Sequence, residues 1–264
     1  MTRIAITGAA GRMGRRIAYL AHDDKRFELV SAMEMPGHEA MGTDVGVLCG
    51  AGPMGLAVSE TLQGDPDVIL DFSTPEGTVH WLRQARDRGV AMLIGTTGLT
   101  ESQLAAVADA AGEIAIVQAP NMSVGVNLLF KLAGQVAKAL GDDYDIEIVE
   151  AHHRFKKDAP SGTALGLARS ICDATGKEMA ETLVHGRGGA CPRKGGEIGM
   201  HAVRLGDTVG EHSVHFGNLG ETVTLSHSAH TRDTFVRGAL RAAEWVAGRK
   251  PGLYSMLDVL GLSD

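Results

Sequence analysis

An α/β chain with a Rossmann-like, doubly wound parallel sheet and a second α+β domain, whose sheet is mainly antiparallel, follows from three features of the sequence. Apolar strands alternate with helical patterns over residues 1–123. The first strand runs directly into a glycine turn, Gly8-Ala9-Ala10-Gly11-Arg12-Met13-Gly14. Beyond Ser123 the order changes to helix, strand, helix, glycine-rich loop and three strand-like runs.

Residues 3–7 form the opening strand, and Ile17, Leu20 and Ala21 continue at helical spacing after the turn. Phe27–Met33 is a second strand, ending at Glu34. That acid stands about 20 residues after Gly14, the separation of a dinucleotide-binding βαβ unit. In such a unit the glycines let backbone approach a pyrophosphate, the helix N-terminus binds it, and the acid bonds ribose hydroxyls. The spacing here is Gly-x-x-Gly-x-x-Gly, with Ala10 where the commoner form has its second glycine.

Residues 36–66 read as an irregular loop with one short strand near 56–58, and further strands are expected at 67–71, 90–94 and 114–117. Thr74 with Pro75 opens one helix, and Thr100 with Gln103 makes a capping box for the next. Ligands of parallel sheets sit beyond the carboxyl ends of the strands. Gly95-Thr96-Thr97 and Ala119-Pro120-Asn121-Met122 lie there and join the glycine turn as candidate cofactor contacts.

The second domain is expected over 124–232, with 233–264 returning to the first as a helix over 234–247 and a segment over 256–262. Within it, helices over 124–140 and 162–174 flank a strand over 144–151. Short glycine-containing turns separate runs at 198–205, 209–216 and 221–227, which predicts antiparallel hairpins. With helices for only one face of that sheet, self-association through the other is expected. The end of the 144–151 strand carries His152, His153, Arg154, Lys156 and Lys157 towards a fresh helix start at Ser161-Gly162. Imidazole and ammonium groups beside a helix N-terminus suit a small polycarboxylate that must exchange a proton.

Among 264 residues, 44% are hydrophobic and 22% charged, as in an ordinary globular protein. A net charge of −7 gives no global field to attract nucleic acid. Three widely spaced cysteines argue for a reducing compartment and against a disulfide framework. With neither a signal segment nor a membrane-length apolar run, a cytoplasmic protein is expected, without membrane or nucleic-acid partners. There are 11 histidines, but adjacent His152 and His153 should point to opposite faces, and no His-Glu-x-x-His occurs. No metal is expected.

Read together, these blocks resemble the dihydrodipicolinate reductase family, also called 4-hydroxy-tetrahydrodipicolinate reductases. The resemblance is carried by Gly8–Gly14, Asp71-Phe72-Ser73, Gly95-Thr96-Thr97-Gly98, Ala119-Pro120-Asn121 and Ser123-Val124-Gly125-Val126-Asn127. Its most specific part is Glu150-Ala151-His152-His153, then Lys156 and Asp158-Ala159-Pro160-Ser161-Gly162-Thr163-Ala164. Gly210-Glu211-His212, Phe216, Gly220-Glu221 and Arg232 also fit.

The resemblance implies reduction of a cyclic unsaturated dicarboxylate by NAD(P)H, in diaminopimelate and lysine biosynthesis, by a homotetramer. It implies that His152 donates or accepts a proton, that Lys156 is a second proton donor, and that His153, Gly162 and Thr163 hold substrate. Many members carry Arg after the ribose-binding acid, where this chain has Met35, and Phe where it has Met122. Glu34 without that cation repels a 2′-phosphate, so NADH is expected to be preferred and NADPH usable. The alternative is a non-catalytic NAD(P)H sensor, which needs the glycine turn but not the His152–Lys156 cluster.

Overall fold

Residues 1–263 are described in the computed structural model. The chain folds as two units, Met1–Ser123 with Asp233–Asp264, and Val124–Arg232. In chain order the first unit begins β1 (Thr2–Thr7), α1 (Arg12–His22), β2 (Phe27–Met33), α2 (Val45–Cys49), β3 (Val58–Ser59) and β4 (Val68–Asp71). It continues with α3 (Pro75–Arg88), β5 (Ala91–Ile94), α4 (Glu101–Ala110) and β6 (Ala115–Gln118). The second unit holds α5 (Val124–Leu140), β7 (Asp145–His152), α6 (Gly162–Thr175), α7 (Met179–Thr182), β8 (Leu183–His185), β9 (Ile198–Arg204), β10 (Gly210–Asn218) and β11 (Glu221–Ala229). The chain then returns to the first unit as α8 (Asp233–Val246), β12 (Gly252–Tyr254) and α9 (Met256–Leu260).

The first unit is a seven-stranded parallel sheet in the order β12-β6-β5-β4-β1-β2-β3. Strand order reverses at β1, which pairs with both β2 and β4, and a crevice opens at such a switch point beyond the strand ends. Alternate strand residues feed two cores. Ile4, Ile6, Leu70, Leu93 and Val117 pack with Ile17 of α1 and Val236 and Leu240 of α8. Ala5, Ile69, Met92 and Ile116 pack with Trp81 of α3 and Val107 of α4. Each fully buried Ile or Leu contributes roughly 1.5–3 kcal/mol, which is why β4 and β5 are apolar at successive positions rather than alternating. The expected caps are present: Thr74 Oγ1 accepts from the Gly77 N–H, and Thr100 with Gln103 closes a capping box.

The second unit is a mixed sheet in the order β11-β10-β7-β9-β8. α5 and α6 cover one face, burying Ile146, Ile148, Val214 and Phe216 against Leu129, Ala133, Leu167 and Ile171. On the other face Ser213 and Ser226 pair at 2.8 Å and His215 and Thr224 at 3.1 Å, while Glu147 gathers Arg187, Arg193 and His201. Among the described residues, no helix of this unit covers that face.

Several expectations are corrected. The segment expected to be irregular over 36–66 contains α2, because Asp44 caps it by accepting from the Gly46 and Val47 N–H groups at 2.8 and 3.2 Å. β9 and β10 do not form a hairpin: β7 lies between them, parallel to β9 and antiparallel to β10. β8 and β12 fall in stretches with no strand expectation, since each is a three-residue edge element without a period to read.

Candidate active site

The candidate cofactor residues gather at the carboxyl edge of the first unit's sheet. Gly8, directly after β1, has φ +66°, and a Cβ there would strike the Phe72 carbonyl. Gly14 lies in α1 where a Cβ would strike the Gly8 carbonyl, so helix and turn are in direct backbone contact. Gly11 is the N-cap of α1 and carries no side chain to cap it, which leaves that end suited to an anion. Ala9 and Ala10 are buried, and the Ala10 N–H donates to Glu34 Oε1 at 2.8 Å. Glu34 is thereby fixed under the turn, with its second oxygen outside that bond. Arg16 is bound by Asp233 at 2.6 and 2.7 Å and Arg15 bonds the Ala10 carbonyl, whereas Arg12 is exposed.

The two later loops contribute differently. Gly95 abuts the Phe72 ring, and Thr96 is buried with its hydroxyl on Asp71 at 2.8 Å, so Thr97 is the exposed threonine of the pair. Ala119 is buried, Pro120 exposed, and Asn121 Oδ1 accepts from the Ser123 N–H at 2.8 Å. The Met13 and Met122 side chains both pack on the core, and the Met122 carbonyl lies against Gly238 of α8, where a Cβ would strike it. The glycine cradle, the uncapped helix end and the anchored acid together fit a dinucleotide.

In the second unit, β7 places Ile146, Ile148, Glu150 and His152 on its helix-covered face, by the two-residue period of a strand. Glu150 is fully buried yet completely paired. Arg204 grips it bidentately, with both N–O distances 2.8 Å, His152 Nδ1 lies 2.6 Å away, and the Ser161 N–H donates at 3.0 Å. Burial would raise the Glu150 pKa, but the bonds from Arg204, His152 and Ser161 outweigh it and hold it below the usual carboxylate value. The imidazole of His152 is pushed below its ordinary pKa by burial, against the opposing pull of Glu150. An ionised Glu150 fixes the proton on Nδ1 and leaves Nε2 for a reacting group; a Cβ at Gly210 would crowd Nε2 at 3.1 Å, and the glycine leaves that space open.

Lys156 bonds Asp158 at 2.9 Å and its backbone N–H returns to the His153 carbonyl, and its charge adds to the lowering of the His152 pKa. His153 lies just past β7 and is half-buried. Gly162 and Thr163 open α6, whose N-cap Ser161 accepts from the Ala164 N–H. Ser161 Oγ also meets His212 Nε2 at 3.1 Å, and the His212 ring stands edge-on to His152 at 5.1 Å. Burial lowers the His212 pKa to about 4, which keeps it neutral.

The structure therefore adds Glu150, Arg204, Ser161 and His212 to the residues read from the sequence. Glu150 was signalled by its place two residues before His152. Arg204 had no signal, because it reaches Glu150 only through the parallel pairing of β7 with β9. Among the described residues no group of His, Cys, Asp or Glu is arranged to hold a metal ion, and no helix is long and apolar enough to cross a membrane.

Residues 2–122 match the family described as "Dihydrodipicolinate reductase, N-terminus", and residues 125–260 match "Dihydrodipicolinate reductase, C-terminus". The 4-hydroxy-tetrahydrodipicolinate reductase of Alkalilimnicola ehrlichii is 51% identical over 265 residues, covering 99% of each chain. That of Rubrobacter xylanophilus is 51% identical over 263 residues, covering 100% of each. Among solved structures, a dipicolinate-bound dihydrodipicolinate reductase from Paenisporosarcina sp. TG-14 superposes with a TM-score of 0.77 at 27% identity, covering 98% of both chains. GenD2, solved with NAD, shares the fold alone, at a TM-score of 0.60 and 15% identity. Matches at both halves and over the whole length of these relatives make the assignment: this chain belongs to the dihydrodipicolinate reductase family.

Proposed function

We infer that this chain reduces 4-hydroxy-tetrahydrodipicolinate to tetrahydrodipicolinate with NAD(P)H, the activity its full-length relatives carry. The observation that carries the chemistry is His152, held by a buried, ionised Glu150 at the end of β7. The bound nicotinamide supplies the hydride. Hydride addition leaves an electron pair on the ring that must take a proton, and we assign its donation to His152 Nε2. Two substrate carboxylates beside a low-pKa imidazole favour its charged form, so substrate binding itself loads the donor. Lys156 is the second donor. We assign one carboxylate to the first turn of α6 at Gly162 and Thr163, with His153 beside it, where the helix dipole favours negative charge.

The glycine turn, Glu34, Thr97 and the 119–122 loop form the proposed cofactor site, with NADH preferred. Met35 supplies no charge, and His38 accepts the Ala40 N–H on Nδ1 at 3.1 Å, an arrangement that needs that nitrogen bare. The sheet face carrying Ser213, Thr224 and Ser226 is the proposed tetramer interface. An assay following loss of reduced-nicotinamide absorbance with the hydroxylated substrate tests the reading. Turnover by the unaltered protein and its loss in His152→Gln support it; cofactor binding without oxidation overturns it.

A further inference from the structure

Asp71, the last residue of β4, is fully buried and meets no cation among the described residues, yet it accepts four hydroxyl hydrogen bonds. Thr7 and Ser73 donate to Oδ1, each at 2.5 Å, and Thr78 and Thr96 donate to Oδ2 at 2.5 and 2.8 Å. A carboxylate offers about four lone-pair positions, so this one is saturated. Its donors come from distinct places. Thr7 immediately precedes Gly8 of the glycine turn, Thr96 sits inside the second candidate cofactor loop, and Ser73 lies between them, its N–H also donating to Thr96 Oγ1 at 3.0 Å. Thr78 alone belongs to a helix, α3, and is a member of no candidate loop. The residue next to Asp71 joins the same two loops, since the Phe72 carbonyl lies against Gly8 and its ring against Gly95.

We propose that Asp71 is a positioning residue for cofactor binding: through Thr7 and Thr96 it sets the separation of the Gly8–Gly14 turn and the Gly95–Thr97 loop. Thr96 then acts through its bond to Asp71 while Thr97 faces the ligand. The proposal rests on the reading that these loops take the cofactor. A hydrogen bond to a charged group is strong enough that losing one at a loop that must hold its place costs about tenfold in affinity.

Thr78 supplies the control, because its hydroxyl reaches the same oxygen as that of Thr96. NADH affinity is measured by fluorescence titration without substrate for Thr96→Val, Thr78→Val and Asp71→Asn, beside thermal unfolding. Thr96→Val should raise the dissociation constant by about tenfold, while Thr78→Val, losing comparable stability, stays near the unaltered value. Asp71→Asn should raise the NADH constant and the KM for NADH and leave the KM for the dicarboxylate unchanged. Equal effects of the two threonine variants, or no effect of Thr96→Val, overturn the proposal whether or not Asp71→Asn folds. Failure of the unaltered protein to bind NADH would instead remove the cofactor reading on which it stands.

Discussion

His152 Nδ1 lies 2.6 Å from Glu150 Oε2, two residues earlier on the same face of one strand, while Arg204 holds the other side of that carboxylate. The arrangement makes Glu150 the influence that opposes burial in setting the acid strength of His152. Burial lowers the His152 pKa and Glu150 raises it, so Glu150→Gln removes a raising influence and the pKa falls further. On the proposed role of His152 as proton donor, the active form carries its second proton, so kcat/KM should decline as pH rises through that pKa. The decline should move to lower pH in Glu150→Gln, with kcat reduced. A pH profile in the same place as that of the unaltered enzyme would mean that Glu150 does not set the donor.

Replacing His152 by Gln or Lys156 by Ala should lower kcat by about 10²–10⁴-fold, the usual contribution of a general acid. Steady-state kinetics beside NADH titration checks that cofactor affinity is retained. Near-normal turnover in both variants would take the pair out of the mechanism.

On the proposed carboxylate site at the first turn of α6, which would bind ground state and transition state alike, Thr163→Val should raise the KM for the dicarboxylate more than it lowers kcat. An unchanged KM would place the carboxylate elsewhere.

His212 gives a stability prediction with a defined sign. Its folded pKa of about 4 lies below the ordinary 6.5, so between those values the unfolded chain binds a proton that the native one refuses. Stability is therefore lost as pH falls from 6.5 towards 4, by on the order of 3 kcal/mol from this group. Urea unfolding over that range should show a dependence shallower by about one proton in His212→Gln. Parallel curves for the two proteins would contradict the assignment.

Met35→Arg should improve kcat/KM for NADPH selectively, by roughly ten- to a hundredfold, the worth of one charge-assisted contact. The same ratio measured in the unaltered protein decides the starting preference. If NADPH is already favoured there, Arg12, exposed at the start of α1, is the cation to replace next.

The legible parts were those encoded within a few neighbouring residues. The glycine turn, the caps at Thr74 and Thr100, and the alternation that buries His152 all depend on such neighbours, and each is visible as a pattern. What stayed hidden depends on pairings between distant segments. Arg204 reaches Glu150 only because β9 runs beside β7, and the four hydroxyls on Asp71 come from positions up to 64 residues away in sequence. The α2 helix was masked by the glycines around it, although Asp44 carried its cap in plain view. Met122 was grouped with ligand contacts by its neighbours Pro120 and Asn121, yet its side chain serves the core.

The return of α8 and β12 to the first unit has a consequence for synthesis. Val236, Ala239, Leu240 and Ala243 complete a core whose other walls come from β1, β4 and β5, and β12 adds the strand beside β6. A nascent chain still tethered before Asp233 therefore holds residues 1–123 with one face of their sheet covered by α1 but not by α8, while residues 124–232, a contiguous segment, already contain all of their own core. The second unit can close on the ribosome first, and the earlier-made half must wait for the last 32 residues, its apolar face the one a chaperone would cover in the interval.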